Sequence, residues 1–238
     1  MTKSKLFTSL FLFSLAVIVF GQARPKVTGS GNVVTKDREA GYFNSVTVST
    51  AIDLILSQGS TESIKVEADD NLHEYIITEI ENNTLKIYTD ANIRNAEEMN
   101  VYVTMKDIEK LSATSAGDVI GKTVIKSDEL TLTVSSAGDM KLEVEVDKLN
   151  CRLSSAGDMT LSGTAGELEA SLSSAGDLQA FDLTTSIADV STSSSGDAKI
   201  TVTEKLKARA SSAGDIHFQG NPKEVDGHSS SAGRIEKR

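Results

Sequence analysis

Tryptophan is absent, only two prolines occur, there is a single cysteine, and aromatic residues make up 5% of the 238 positions. Cys151 alone cannot form an internal disulfide, so an exported form of this chain would be held by its core and its backbone hydrogen bonds. The scarcity of aromatics and prolines fits a narrow interior lined by small aliphatic side chains. Positive charge is also scarce: 24 Lys and Arg stand against 34 Asp and Glu, a net −10. No basic cluster offsets this, which excludes nucleic acid as a partner class. Catalytic signatures are missing as well. There is no Gly-x-Ser-x-Gly elbow, no Walker loop and no His-Glu-x-x-His. The three histidines, His73, His217 and His228, lie far apart and read as solvated surface residues. The expectation is a protein that is not an enzyme.

The N-terminus reads as a signal peptide over residues 1–21. Lys3 and Lys5 precede an apolar run from Leu6 to Phe20, with small residues Gly21 and Ala23 for cleavage after either one. The run is shorter than the roughly 20 residues that span a bilayer. Removing it takes away two lysines and leaves a chain near −12. Residues 22–40 form a lead segment, and a periplasmic, surface or extracellular location follows.

One five-residue motif recurs seven times. It runs Thr114-Ser115-Ala116-Gly117-Asp118, then Ser135 to Asp139, Ser154 to Asp158, Ser173 to Asp177, Ser193 to Asp197 and Ser211 to Asp215, and ends as Ser230-Ser231-Ala232-Gly233-Arg234. The glycines Gly117, Gly138, Gly157, Gly176, Gly196, Gly214 and Gly233 are 21, 19, 19, 20, 18 and 19 residues apart. A fixed period near twenty is the mark of a solenoid whose coils bury their apolar faces on one another.

Numbered from each glycine, positions −8, −6 and −4 are apolar or small, as in Leu130, Leu132 and Val134 or Leu149, Cys151 and Leu153. Positions +2 and +4 continue the series, as in Met140 and Leu142. The residues between are polar. Period-two alternation on both sides of a turn predicts a strand, a corner and a second strand per coil, with a return segment of about six residues closing it. The fold class is therefore all-β: a single-chain parallel β-helix over 41–238, regular from about residue 109, right-handed by the crossover preference. Like residues should stack, Met140 on Met159 and Ser136 on Ser155 on Ser174. Cys151 falls on an inward site, a small buried hydrophobe.

The corner assigns roles. Glycine supplies a positive φ, the residue before it allows close approach, and Ser at −2 continues inward. Asp118, Asp139, Asp158, Asp177, Asp197 and Asp215 then form an outward column of like charge. Two readings explain it: each carboxylate closes an Asx-type turn on its own corner, or cations such as calcium bridge the column. Apart from calcium in the second reading, no cofactor is expected. Arg234 breaks the series in the last repeat.

Residues 22–110 lack the motif but keep strand-like runs. Asn82-Asn83 predicts a hairpin between 76–80 and 85–88, and Asp69 to Tyr75 one helical turn. This third reads as irregular first coils and a cap. Its opening, Gly29-Ser30-Gly31-Asn32-Val33-Val34, then Phe43 to Ser49, then Asp53 to Gly59, resembles the "putative auto-transporter adhesin, head GIN domain" family, and the later Ser-Ala-Gly-Asp repeats resemble the rest of it. Ala51 stands where the family's opening has glycine. The resemblance implies an exported bacterial β-helix and brings no catalytic residues. The function expected is a surface or envelope adhesion module whose ligand is unknown, with a glycan or other envelope component as the candidate partner. The alternatives are an oligomer-forming envelope protein and a polysaccharide-active enzyme, the latter disfavoured because short return segments leave no cleft.

Overall fold

A computed structural model describes residues 24–238. The expected signal peptide and most of its cleavage region lie outside the described residues. Among the described residues every regular element is a strand. The first nine are β1 (Lys26–Val27), β2 (Val33–Arg38), β3 (Ser45–Val48), β4 (Asp53–Gln58), β5 (Ser63–Asp69), β6 (Ile76–Glu81), β7 (Thr84–Thr89), β8 (Asn92–Ile93) and β9 (Met99–Met105). The coils follow as β10 (Lys110–Thr114), β11 (Asp118–Gly121), β12 (Ile125–Ser135), β13 (Asp139–Ser154), β14 (Asp158–Leu172), β15 (Asp177–Ser193) and β16 (Asp197–Ser211). The chain closes with β17 (Asp215–Gln219), β18 (Glu224–Ser229) and β19 (Arg234–Lys237).

From β10 onward every pairing is parallel and joins one coil to the next. Leu130 pairs Leu149, Leu132 pairs Cys151, Met140 pairs Met159 and Leu142 pairs Leu161. The inward positions are buried throughout the middle coils, from Leu111 to Phe218. This is the β-solenoid that the twenty-residue period demands. The return segments are strand as well and belong to the same ladder, so β13 runs unbroken over 16 residues from one corner to the next. The cause is that alternation persists through them: Val144 and Val146 point inward, and Ala165, Leu183 and Val202 are buried beside them. Where coil lengths differ, the ladder bulges. Gly163 sits at φ 105°, and a Cβ there would meet the Val144 carbonyl oxygen at 2.1 Å, so only glycine fits that bulge.

The N-terminal segment builds the first coil and covers its lower end. Strands β3 and β4 form a coil that stacks directly under β10 and β11. Beneath it lie β7, parallel to β3, and β9, parallel to β4. Three pairs run antiparallel, β2 on β5, β5 on β9, and β6 on β7, while β1 and β8 make a separate parallel pair. The β6–β7 hairpin turns at Asn82 and Asn83, with φ 49° and 59°, as the Asn-Asn pair predicts. Residues 70–75 form consecutive turns, with a single i→i+4 bond from the Ile76 N–H to the Leu72 carbonyl, and not a regular helix. At the other end the alternation stops burying side chains. Val225 is 50% exposed, and Gly227 and Ser229 are exposed with it, although their repeat positions are inward in earlier coils. No described strand covers that coil.

Candidate functional site

The corners reverse two of the roles their sequence suggests. The left-handed residues are Ser115 and Ala116 (φ 54° and 61°), Ser136 and Ala137, Ser194 and Ser195, Ser212 and Ala213, and Ser231 and Ala232; in two corners only the serine, Ser155 or Ser174, adopts this conformation. None of the seven motif glycines has positive φ. The Gly117 N–H bonds the Thr114 carbonyl at 3.2 Å, and Gly214 bonds Ser211 at 3.0 Å, which closes a four-residue turn with two left-handed central residues. The left-handed residues carry the chain out over a crest and back, and the alternation keeps its phase, with positions −4, 0 and +2 all inward in the middle coils. The serine at −2 is therefore exposed at the crest of the corner, while the glycine faces inward, buried in every corner but the last, where Gly233 is half-buried. Glycine is required there for space. A Cβ on Gly138 would lie 2.9 Å from the Gly117 carbonyl oxygen, and one on Gly233 would lie 2.6 Å from the Ala210 backbone.

The strained serines and alanines are held by bonds between corners. The Ala116 N–H donates to the Ser136 carbonyl at 3.2 Å, Ser195 to Ser212 at 3.2 Å, and Ala213 to Ser231 at 3.1 Å. A further corner takes part that the sequence hides. Thr50 and Ala51 have φ 65° and 54°, and the Ala51 N–H donates to the Ser115 carbonyl at 3.3 Å. Thr50-Ala51-Ile52-Asp53 is thus a copy of Ser-Ala-Gly-Asp. Ile52 stands in place of the glycine and is buried; in the layer below, the segment over residues 90–98, which carries β8, joins β7 to β9 in place of a four-residue corner. Ala51, where the resemblance expects glycine, occupies a left-handed position.

Asp53 extends the column by one. Asp53 pairs Asp118, Asp139 pairs Asp158, and the ladder continues through Asp177, Asp197 and Asp215 to Arg234. The carboxylates do not cap their own corners. The Asp139 N–H donates to Asp118 Oδ1 at 3.1 Å, so the bond runs from one coil to the next. In the later corners the N–H of Asp158, Asp177, Asp197, Asp215 and Arg234 bonds the glycine carbonyl of the preceding coil, as Asp158 does with Gly138 at 3.3 Å. Burial, followed by the Asp118 and Glu98 charges, raises the Asp53 carboxyl above its ordinary range. Asp177 is raised by burial and then by the Asp158 and Asp197 charges. Asp118 is raised by burial, against the opposing Asp139 bond. Among the described residues, no three His, Cys, Asp or Glu side chains converge into a set that would hold a metal ion. The column is a line of carboxylates, not a cage.

Another outward column carries mixed charge. Glu129, Lys148, Glu167, Ile187, Lys205 and Glu224 align in one ladder, with Lys148–Glu129 at 3.8 Å and Lys205–Glu224 at 2.9 Å. Among the described residues the histidines stay apart. His228 is exposed, but His73 is buried, which corrects its reading as a surface residue. The turn over residues 70–75 packs it under β2, where Nε2 lies 3.0 Å from the Val34 carbonyl and burial lowers its pKa. His217 is mostly covered, 3.7 Å from Glu236. Cys151 is sealed in the core, where burial pushes its thiol up to about 12.

A polar cleft of about 780 Å³ opens on the return side of the first coils, although short return segments predict none. It exists because the chain must climb from β9, which lies beneath β4, to β10, two layers higher. The segment over residues 106–109 makes that crossing, with Ile108 buried in the core, and forms one wall. The start of β12 forms the other. Gln58 ties them together: its Nε2 donates to the Lys106 carbonyl at 3.0 Å and the Lys126 carbonyl at 2.9 Å, and its Oε1 accepts the Lys126 N–H at 2.7 Å. Tyr42 lines the cleft and is 53% exposed. Neither Tyr42 nor Gln58 had a sequence signal, since the cleft depends on a crossing that the topology alone creates.

The relatives agree with this architecture. In the solved structures, a "putative adhesin" from Bacteroides fragilis superposes with a TM-score of 0.85 at 22% identity, covering 89% of this chain and 100% of its own. A "putative adhesin" from Parabacteroides merdae gives 0.74 at 25% identity, covering 90% and 99%. A "putative lipid binding protein" from Parabacteroides distasonis gives 0.75 at 23%, also covering 90% and 99%. The comparison with curated proteins finds no match. The family model described as "Putative auto-transporter adhesin, head GIN domain" matches residues 42–222, well over half of the sequence. The chain belongs to that family.

Proposed function

We propose that this protein is an exported, non-catalytic adhesion module that presents the side faces of a rigid solenoid to a component of the cell envelope or a neighbouring surface. The observation that carries this reading is the in-register stack. Every outward position recurs at about 4.8 Å along the axis, so a repeating ligand would meet a repeating surface. The names of the family and of its fold relatives support adhesion. The buried thiol and the dispersed histidines favour binding over chemistry. The test uses the purified chain against immobilised envelope polysaccharide, mucin and phospholipid vesicles, the last because one fold relative carries a lipid-binding name. Saturable retention on one of these surfaces supports adhesion; retention on none refutes it. Fractionation of the producing cells tests export, and a cytoplasmic pool alone refutes it.

Self-association is a second reading. It is favoured by the half-exposed Val225 on a coil that no described strand covers. Light scattering after size exclusion tests it, and a monomer at all concentrations ends it.

A further inference from the structure

We propose that the cleft on the return side is a binding site for a neutral polysaccharide chain, an inference that rests on the adhesion reading and gives it a place and a ligand class. The cleft has the size of a ligand site, about 780 Å³ against the ~300–1,000 Å³ common for such sites. It is also preformed. The Gln58 amide makes three hydrogen bonds that fix both walls, and the Gln58 N–H donates to Thr123 Oγ1 at 2.8 Å. Little ordering cost remains for a ligand.

The lining selects the chemistry. Tyr42 exposes an aromatic ring large enough to carry the apolar face of a sugar. Around it stand the hydroxyls of Ser45, Ser127 and Thr131, which donate and accept, the carboxylates of Asp107 and Asp128, which accept, and the Lys110 ammonium, which donates. Sugar hydroxyls donate and accept in the same way. Asp107, Glu109, Asp128 and Glu129 outnumber Lys110 and Lys126 on the lining, so a polyanion would be repelled on balance. A lipid tail would leave these charged groups without water or partners.

The cleft also has a direction. A second depression of about 500 Å³ shares Lys126, Ser127 and Asp128 with it and continues past Glu145 and Asp147 to Thr164. The two together form a trough along the solenoid axis, suited to several units of a chain and not to one sugar. Thr164, Thr184 and Thr201 stack in register beyond it and extend a neutral hydroxyl column in the same direction.

The experiment is calorimetric titration of the purified chain with neutral hexose oligosaccharides of graded length and linkage, alongside a sulfated oligosaccharide. The expected result is binding of the neutral chains, stronger with length, and none of the sulfated one. Tyr42→Ala and Asp128→Asn should each weaken it at least tenfold. Both side chains are exposed, so the melting temperature should not move. Asp177→Asn, on a different face, should bind as the wild type does. Neutral chains that bind equally well to Tyr42→Ala and Asp128→Asn overturn the cleft and leave adhesion standing. No binding of any neutral chain also overturns the cleft, and adhesion is then decided by the mucin and vesicle surfaces.

Discussion

Replacing Asp177 by Asn removes one charge from the middle of the column while keeping a side-chain oxygen that can accept the Asp197 N–H. Its ladder neighbours are Asp158 and Asp197. At the ~4.8 Å spacing between coils, each pair of charges repels by about 0.9 kcal/mol in water, so two neighbours contribute roughly 1.7 kcal/mol before screening. The ~8 Å Debye length of physiological salt cuts this to about 1 kcal/mol. The Lys199 charge opposes the repulsion, but it is the weakest of the influences on Asp177 and only trims the gain. Asp177→Asn should therefore stabilise the protein by about 1 kcal/mol, or roughly 2–4 °C in melting temperature for a chain of this size. The gain should grow toward 10 mM salt and fade in 1 M salt. It should also close in acid. The folded Asp177 carboxyl titrates above its unfolded value of 3.8, so its penalty is full above the folded pKa and vanishes below 3.8. A second substitution, Asp158→Asn, should add less than it does alone, because one repelling pair is already gone. Thermal melts across salt and pH provide the assay. A loss of stability, or a gain indifferent to salt, would refute the electrostatic account and point to a carboxylate that the corner needs. Calcium in the same melts tests the cation reading: a rise in melting temperature beyond that given by magnesium at equal ionic strength would support bridging.

Two adjacent substitutions should have opposite signs. Ala137→Gly relieves a left-handed alanine costing about 1–2 kcal/mol but frees the unfolded chain by ~0.4–1, for a net gain near 0.5 kcal/mol. Gly138→Ala drives a methyl to 2.9 Å from the Gly117 carbonyl oxygen and should cost about 1–3 kcal/mol in denaturant unfolding; the reverse order would show that glycine serves the turn's φ after all. His73 gives a pH dependence of the other sense from the column. Its folded pKa lies below the unfolded 6.5, so the unfolded chain binds the extra proton, and stability should fall as pH drops from 6.5 toward the folded value. His73→Gln should flatten that slope in melts between pH 7 and 5, and an unchanged slope would locate the dependence elsewhere. Cys151, with its thiol pushed up to about 12, should resist a thiol reagent at pH 8 until the chain unfolds; rapid labelling of the native protein would contradict its place in the core.

The regular coils were legible because three signals agreed: the twenty-residue period, the alternation and the corner motif. Leu132 over Cys151 and Met140 over Met159 follow from them without ambiguity. The roles inside the corner were not legible. A glycine in a turn is equally explained by positive φ and by lack of space, and only the approach of Gly138 to the Gly117 carbonyl decides between them. Asp53 was hidden for a topological reason. Strands β5 to β9 are inserted between it and Asp118, and Ile52 masks the motif, although Ala51-Ile52-Asp53 with Leu54 and Leu56 in phase carries a faint copy. The cleft was least legible, since Tyr42, Gln58 and Asp128 are far apart in sequence and meet only where the chain skips a layer.

In-register stacking turns each outward position into a column, and the chain treats its columns differently. The ladder from Glu129 to Glu224 mixes signs, so neighbouring coils attract. Thr164, Thr184 and Thr201 make a neutral one. The aspartate column accepts repulsion at every step from Asp53 to Asp215. Surface ion pairs are worth ~0–1 kcal/mol each, so exchanging alternate aspartates for lysines would remove the repulsion and gain a little attraction at no packing cost. The carboxylates therefore answer to something other than coil-to-coil cohesion. The bond from the Asp139 N–H to Asp118 shows one such demand, a short acceptor at the corner that lysine cannot supply. Asparagine supplies it too, without the charge. Asp177→Asn thus separates what the corner needs from what the surface carries: if the variant folds more stably yet loses retention on a surface that the wild type binds, the charge serves adhesion, and if retention is unchanged, the column is a device of the turn.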